Sequence, residues 1–412
     1  MQDVARLQAE SGHEVAFFGM AHVENDPSEY SDSFPSQVDF DPVPSSLVGK
    51  LRGVGRMFWS TSAARGIGVV LDDFRPDVVH LHNIYHQLSP SILRSIARRQ
   101  VPMVMTLHDY SLACPTYNFM SHGEVCEACV GGHFMETVRR RCQGGSLGAS
   151  LVAAADLAVH TRLDSYGSIN LLVCPSEFMV EKMTESQVHP DRLRRLNHFV
   201  HLDQPVKSTP GQGVLFVGRL SPEKGVDVLV RAAAGLPSGT TVDIVGDGPE
   251  RARLTELAAE LAPGVVRFHG RLQADAVAER LRAAAICVIP SRWYENQPLV
   301  VLEAYTAGTP VVGARLGGIT ELIEPGTTGE LFRAGSWSDL TGVLTRLLDD
   351  PEHCARMGRA GRAWVESNFS PEAHLTQLHA IYDEAAGHAA SNGVGPRVSG
   401  TRAPRAAPAT SR

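Results

Sequence analysis

The chain has no run of about 18 uninterrupted apolar residues, the length a helix needs to cross a membrane. Its first residues, MQDVARLQAESGHE, carry neither the basic n-region nor the apolar h-region of a secretory signal. The expected location is the cytoplasm, with peripheral contact at the inner membrane face left open. Positive charge is not in excess: 38 Lys and Arg stand against 45 Asp and Glu, a net charge of −7. That balance argues against nucleic acid as the main partner. Cysteine is sparse, seven in 412 residues, which suits reduced or metal-bound thiols better than a disulfide framework. No solenoid-type repeat is visible.

What is present is an ordinary globular composition, 43% hydrophobic, on a chain long enough for two domains with full cores. In the second half, VLFVG, TVDIVG, VVRFHG, AICVIP and PVVGA read as strands, each ending at Gly, Pro or Ala. Helical stretches near 225–236, 249–261, 273–284 and 298–307 separate them. This alternation predicts a parallel sheet covered on both faces, with ligands at the carboxyl ends of its strands. The first half repeats the theme less regularly, with HEVAFFG, DVVHLH, PMVMTLHD and LLVCPS as strand candidates. The proline-bearing stretch HLDQPVKSTPGQG, residues 201–213, reads as a linker, and the small, polar residues 388–412 read as a disordered tail.

One stretch, ENQPLVVLE, brackets an apolar run with Glu295 and Glu303. Pro298 suits a first helical position and Asn296 a cap, so LVVLEAYTAG is expected to be a helix stopped by Gly308 and Pro310. Eight residues at ~1.5 Å each span about 12 Å, the scale of a nucleotide sugar. Free N–H groups at such a helix start suit a diphosphate. Two solvated glutamates beside a buried helix would give the same pattern. Other motifs fall at the same predicted sheet edge. In VGRLSPEKG, Gly218 and Arg219 follow a strand and Lys224 opens a helix, so that a guanidinium and an ammonium can clamp a diphosphate. GDGPE is a weak glycine turn, FHGRL places Arg271 and Leu272 on another loop, and Gly317 and Gly318 of GGITE are read as points of close backbone approach to a phosphate or sugar.

Taken together, the pattern G-R-x4-KG, GDGP, PSxxxE-x7-E and GTPVV…GG…E resembles the C-terminal half of the retaining glycosyltransferases of family 4, closely over 214–385 and more loosely over 11–200. The resemblance implies an α/β protein of GT-B architecture, two facing Rossmann-like domains with parallel sheets and a cleft between them. It implies an N-terminal, acceptor-side domain over 1–200 with a Cys-rich insert at 109–145, and a nucleotide-sugar-binding domain over 214–370. A helix at 371–387 is expected to cross back to the N-terminal domain. By the same resemblance Glu303 holds ribose hydroxyls, Glu295 with the neighbouring Asn296 and Gln297 meets the donor sugar, and Arg219 and Lys224 hold the diphosphate beside Gly218. Backbone at Arg271 and Leu272 would face the base, and His108 of TLHDYSLACP would stand beside the transferred sugar, with Asp109 next to it. The implied activity is retaining transfer from a nucleotide-diphosphate sugar to a glycan or lipid-linked acceptor, as in cell-surface polysaccharide synthesis. No catalytic metal is expected, since no Asp-x-Asp stands in a suitable place and the cations take over that role. The alternatives are a nucleotide-sugar epimerase on the same fold and a non-catalytic, zinc-stapled partner subunit.

Two further features are less general to the family. Cys114, Cys126, Cys129 and Cys142 resemble the HDY…CP…CxxC…C insert of a bacterial subgroup, with structural zinc, free thiols and a disulfide as the open readings. Arg139, Arg140 and Arg141, with Arg192, Arg194 and Arg195, offer a cationic face for an anionic membrane or lipid-diphosphate acceptor, or simply a solvated surface. Finally, family members begin with a strand and a glycine-rich loop, whereas ARLQAESGHEV matches only the helix and strand that follow. A start roughly twenty residues upstream is therefore expected, a length set by one strand plus one loop.

Overall fold

The apolar runs DVVHLH, PMVMTLHD and LLVCPS become strands Val79–His82, Met103–Thr106 and Leu171–Cys174 in the computed structural model, which describes residues 1–37, 55–207 and 209–391. With Leu193–Arg195 they form a parallel sheet in that order, so Val79–His82 lies at one edge. The two inner strands are buried along their whole length, as expected for a sheet covered on both faces. The edge strand Leu193–Arg195 was not anticipated: LRR is polar, and only Leu193 is buried. The expected strand HEVAFFG does not form. No strand pairs with 13–19, and Val15 and Phe17 are both 39% exposed. Apolar content alone does not make a strand; it needs a neighbour's backbone groups, and Val79–His82 pairs only with Met103–Thr106.

The second sheet has six parallel strands in the order Gly329–Phe332, Val311–Ala314, Ile286–Ile289, Val214–Val217, Val242–Val245 and Val266–Gly270. Five of these follow the sequence reading; Gly329–Phe332 was missed because GELF carries a glycine and a charge. The chain enters at Val214–Val217, adds two strands on one side, then returns to build Ile286–Ile289 on the other. The order therefore reverses between Val214–Val217 and Ile286–Ile289. At such a switch point the loops leaving adjacent strands part in opposite directions and open a crevice.

This is the two-sheet GT-B architecture that the resemblance implied. The 201–213 stretch has no strand or helix among its described residues but is not a loose tether. Arg362 donates to the carbonyls of Leu202 and Gln204, and Lys207 Nζ donates to Ala284 O and Thr309 Oγ1. Helix Pro371–Ser391 does cross back. Its Leu378, Ile381 and Ala385 pack on Val104, Leu171, Val173 and Leu196 of the N-terminal sheet. It runs to Ser391, past the expected start of the tail at 388, and residues 392–412 lie outside the described residues.

Candidate functional site

The loops leaving the two switch-point strands carry the sequence-predicted cations and acids. Lys224, after Val214–Val217, and Glu295, after Ile286–Ile289, meet directly: Nζ donates to Oε1 at 2.7 Å. Ser291 Oγ donates to the same oxygen at 2.7 Å, and the ammonium lies 5.2 Å above the Trp293 ring. Glu295 is only 6% exposed. A carboxylate so buried needs a counter-charge, and Lys224 supplies it. Arg219, Arg271 and Glu303 stand apart from this pair. All three are exposed, and among the described residues none has an ion pair or a side-chain hydrogen bond. Crowding by surrounding protein nonetheless raises the Glu303 carboxyl above its ordinary pKa. Leu272, beside Arg271, is half-buried against the core of the C-terminal domain.

The sequence-expected cap of the next helix is absent. The helix runs Leu299–Thr306 with Pro298 at its cap position, and no side chain caps it. Asn296 instead turns across the cleft, its Nδ2 donating to the backbone carbonyl of His108. Gln297 does the same beside it, accepting from His198 N at 2.5 Å and donating to Asn197 Oδ1 at 3.1 Å. Both amides thus brace the two domains at the site, a role no local pattern could announce.

The glycine motifs also act differently from expectation. A Cβ on Gly318 would lie 1.7 Å from Asn296 O, and Gly318 N donates to Glu295 O at 2.8 Å. Gly317 and Gly318 therefore let the GGITE loop press on the Glu295–Asn296 backbone. In the same motif, Glu321 accepts from Glu177 N and Phe178 N, at 3.0 and 2.5 Å, and so ties the first turn of an N-terminal-domain helix to this loop. Near the base end, a Cβ on Gly246 would meet Gly218 O at 1.9 Å, so GDGPE serves to let two strand-end loops lie side by side.

His108 lies two residues past strand Met103–Thr106, and Asp109 does not engage it: its Oδ1 accepts from Ser111 N at 2.8 Å, closing a local turn. The partners of His108 are histidines. Its Nε2 lies 2.9 Å from His82 Nδ1, and the His198 ring stacks on it at 6.1 Å and 9°. His82 in turn packs against His80, ring centres 4.2 Å apart and tilted by 33°. Burial first, then the neighbouring imidazoles, push His80 down to about 3, His82 to about 2 and His198 to about 4. Burial lowers His108 and His374 as well. At neutral pH the cluster is uncharged. Sequence reasoning missed His82 and His198; the alternation in VHLH, which puts His80 and His82 on one strand face, was the available signal.

The Cys-rich insert borders the same loop. Tyr294, next to Glu295, packs edge-on against Tyr110, Phe119 and Phe178, and its hydroxyl donates to Glu127 of the CEAC turn at 2.8 Å. Burial first, and then the three other thiols, raise the Cys129 thiol to about 11. Yet Cys114, Cys129 and Cys142 are turned to the hydroxyls of Thr116, Thr137 and Ser121. Among the described residues no three metal-ligating side chains are gathered into a shell. Cys114, Cys126, Cys129 and Cys142 form no disulfide with one another. Half of the expected cationic face is also spent internally. Arg192 donates to the carbonyls of Gly167 and Ile169, Arg194 binds Glu384 of the crossing helix, and Arg195 faces Glu177 and Glu321. No described helix is long and apolar enough to cross a membrane.

Comparison with known proteins bears on this geometry. Residues 202–364 match the family model for glycosyl transferases group 1, and residues 1–197 match that for a glycosyl transferase 4-like domain. A D-inositol 3-phosphate glycosyltransferase of Corynebacterium efficiens is 36% identical over 384 residues, 86% of this chain and 84% of that protein. One of the same description from Acidothermus cellulolyticus is 34% identical over 299 residues, 66% of this chain but only 60% of its own length. Among solved structures, HepE from Anabaena in complex with UDP superimposes with a TM-score of 0.61 at 17% identity, covering 90% of this chain and all (100%) of that one.

Proposed function

The chain belongs to the group 1 glycosyltransferases with a glycosyl transferase 4-like N-terminal domain, and on that premise we propose that it moves a sugar from a nucleotide-diphosphate donor to an acceptor hydroxyl with retention of configuration. The observation that carries this reading is the convergence at the switch point of the C-terminal sheet. There the Lys224–Glu295 pair and the cross-cleft Asn296–His108 contact come together, and Arg219 follows one of the two switch-point strands. The UDP of the HepE complex favours a nucleoside diphosphate sugar as donor, and the inositol 3-phosphate in the relatives' names bears on the acceptor. They add a small phosphorylated polyol to the glycan and lipid-linked acceptors already considered.

In this reading the unpaired Glu303 accepts hydrogen bonds from the ribose, and backbone at Arg271 and Leu272 lies against the base. Arg219 and Lys224 hold the diphosphate and offset the charge that grows as the glycosidic bond breaks. Glu295, its Oε1 held by Lys224 and Ser291, keeps its second oxygen for a sugar hydroxyl. His108 orients the transferred sugar at the strand end. The arginine and lysine supply the positive charge that a divalent ion supplies in other transferases.

The two cations separate in a test. Arg219 is exposed and unpaired, so Arg219→Ala is expected to leave thermal stability unchanged and lower kcat about 10²-fold, the usual size for one lost charge-stabilising donor. Lys224→Ala is expected to lower both, because it also strands the buried Glu295 carboxylate, a loss of roughly 3–5 kcal/mol. Steady-state kinetics beside melting curves read both effects. An Arg219→Ala enzyme with wild-type kcat counts against the diphosphate clamp, and donor breakdown with no acceptor product would turn the reading towards an epimerase.

A further inference from the structure

We propose that His82 is a positioning residue for transfer: through its hydrogen bond it fixes which nitrogen of His108 carries the proton and which way the ring faces. The inference rests on the reading of His108 as the group that orients the transferred sugar. His82 belongs to strand Val79–His82, one strand over from the strand that leads to His108, and stands in register with Thr106. Its Nδ1 lies 2.9 Å from His108 Nε2. Both imidazoles are neutral, so of the two facing nitrogens one must donate and the other accept. The bond therefore couples the two rings, so that the tautomer held by His82 dictates that of His108, and it leaves Nδ1 as the nitrogen of His108 that His82 does not engage. A neutral imidazole offers either a donor or a lone pair at that atom, and an unspecified mixture would orient a sugar hydroxyl only part of the time.

The ring of His82 is itself held. It packs 4.2 Å from the tilted ring of His80, and His80 spends both nitrogens, Nδ1 on Tyr382 OH at 2.8 Å and Nε2 on Thr106 Oγ1 at 2.7 Å. Tyr382 comes from the helix that crosses back from the C-terminal domain. On the other side, the stacked His198 and the Asn296 bond to the His108 carbonyl hold the ring and backbone of His108. His82 is the one member of this frame that bonds to the His108 ring. The arrangement is that of an active-site histidine whose remote nitrogen is fixed by a partner, with a neutral imidazole in place of the more usual carboxylate.

The test compares His82→Phe, which keeps volume and removes the bond, with His82→Asn, whose amide reaches the position of Nδ1. In His82→Phe, kcat is expected to fall at least roughly tenfold with donor KM within about twofold, since ring orientation and not donor binding is lost. His82→Asn should recover most of that loss. Nitrogen chemical shifts of 15N-histidine-labelled enzyme should show one tautomer for His108 in the wild type and an exchanging mixture in His82→Phe. Wild-type kcat in His82→Phe, with His108→Ala impaired, would overturn the inference and leave the role of His108 standing. Wild-type kcat in both variants would overturn the two together. A loss of kcat in His82→Phe that His82→Asn does not recover, with an unchanged His108 tautomer, would reduce His82 to a packing role and also overturn it.

Discussion

Replacing His108 by alanine is expected to cut sugar transfer about 10²-fold or more while leaving nucleotide affinity unchanged. The substitution removes the ring and nothing else that the domains rely on. Asn296 holds the backbone carbonyl of residue 108, which alanine keeps, so the cross-cleft contact persists. The groups assigned to the nucleotide, Arg219, Glu303 and the Lys224–Glu295 pair, make no bond to the imidazole among the described residues. Loss of rate without loss of nucleotide binding is the signature of an interaction made at the reacting sugar. Steady-state kinetics and calorimetric titration of the nucleotide check it together. Full activity in His108→Ala would remove His108 from the site.

The histidine cluster also makes the protein acid-labile well above the range of carboxylate titration. His80, His82 and His198 are held near 3, 2 and 4, while in the unfolded chain each titrates near 6.5. The sign is fixed by linkage. Between those values the unfolded state binds protons that the folded state refuses, so stability is complete above about pH 6.5 and drains as the pH falls towards the folded values. By pH 5 each such ring costs roughly 2 kcal/mol. The rings share one cluster, so the costs do not simply add, but two of them already take a large share of a typical 5–15 kcal/mol stability. Melting curves from pH 8 to pH 5 are expected to show a steep fall in Tm below about 6.5, shallower in His82→Asn. A flat profile down to pH 5 would contradict the buried, neutral cluster.

How far the sequence reached can be judged from particular residues. Central strands such as Met103–Thr106 and Ile286–Ile289 were legible because burial on both faces forces continuous apolar runs. The edge strand Leu193–Arg195 was not, because an edge tolerates the polar LRR. HEVAFFG has strand composition but no partner, and pairing is a long-range fact that composition does not carry. The Lys224–Glu295 meeting follows from two strands of one sheet, so the motifs could locate both residues although not their contact. His82, His198, Asn296 and Gln297 act between elements far apart in the chain, and the only local hint was the alternation in VHLH. Arg192, Arg194 and Arg195 looked like a surface patch because a run of cations gives no sign of the carbonyls and carboxylates that fold against it. Gly317 and Gly318 are sites of close approach, and the neighbour that the sequence did not reveal is the backbone of Glu295 and Asn296.

A nucleoside diphosphate is expected to bind at the switch point of the C-terminal sheet, its ribose on Glu303, whose carboxylate has no other partner among the described residues. Titration calorimetry with a panel of nucleoside diphosphates, on the wild type and on Glu303→Ala, measures this directly. One nucleotide should bind the wild type with a stoichiometry of about one and bind Glu303→Ala at least roughly tenfold more weakly, the worth of a hydrogen bond to a charged group. Equal affinity in the two proteins, or no binding of any nucleotide to the wild type, would contradict it.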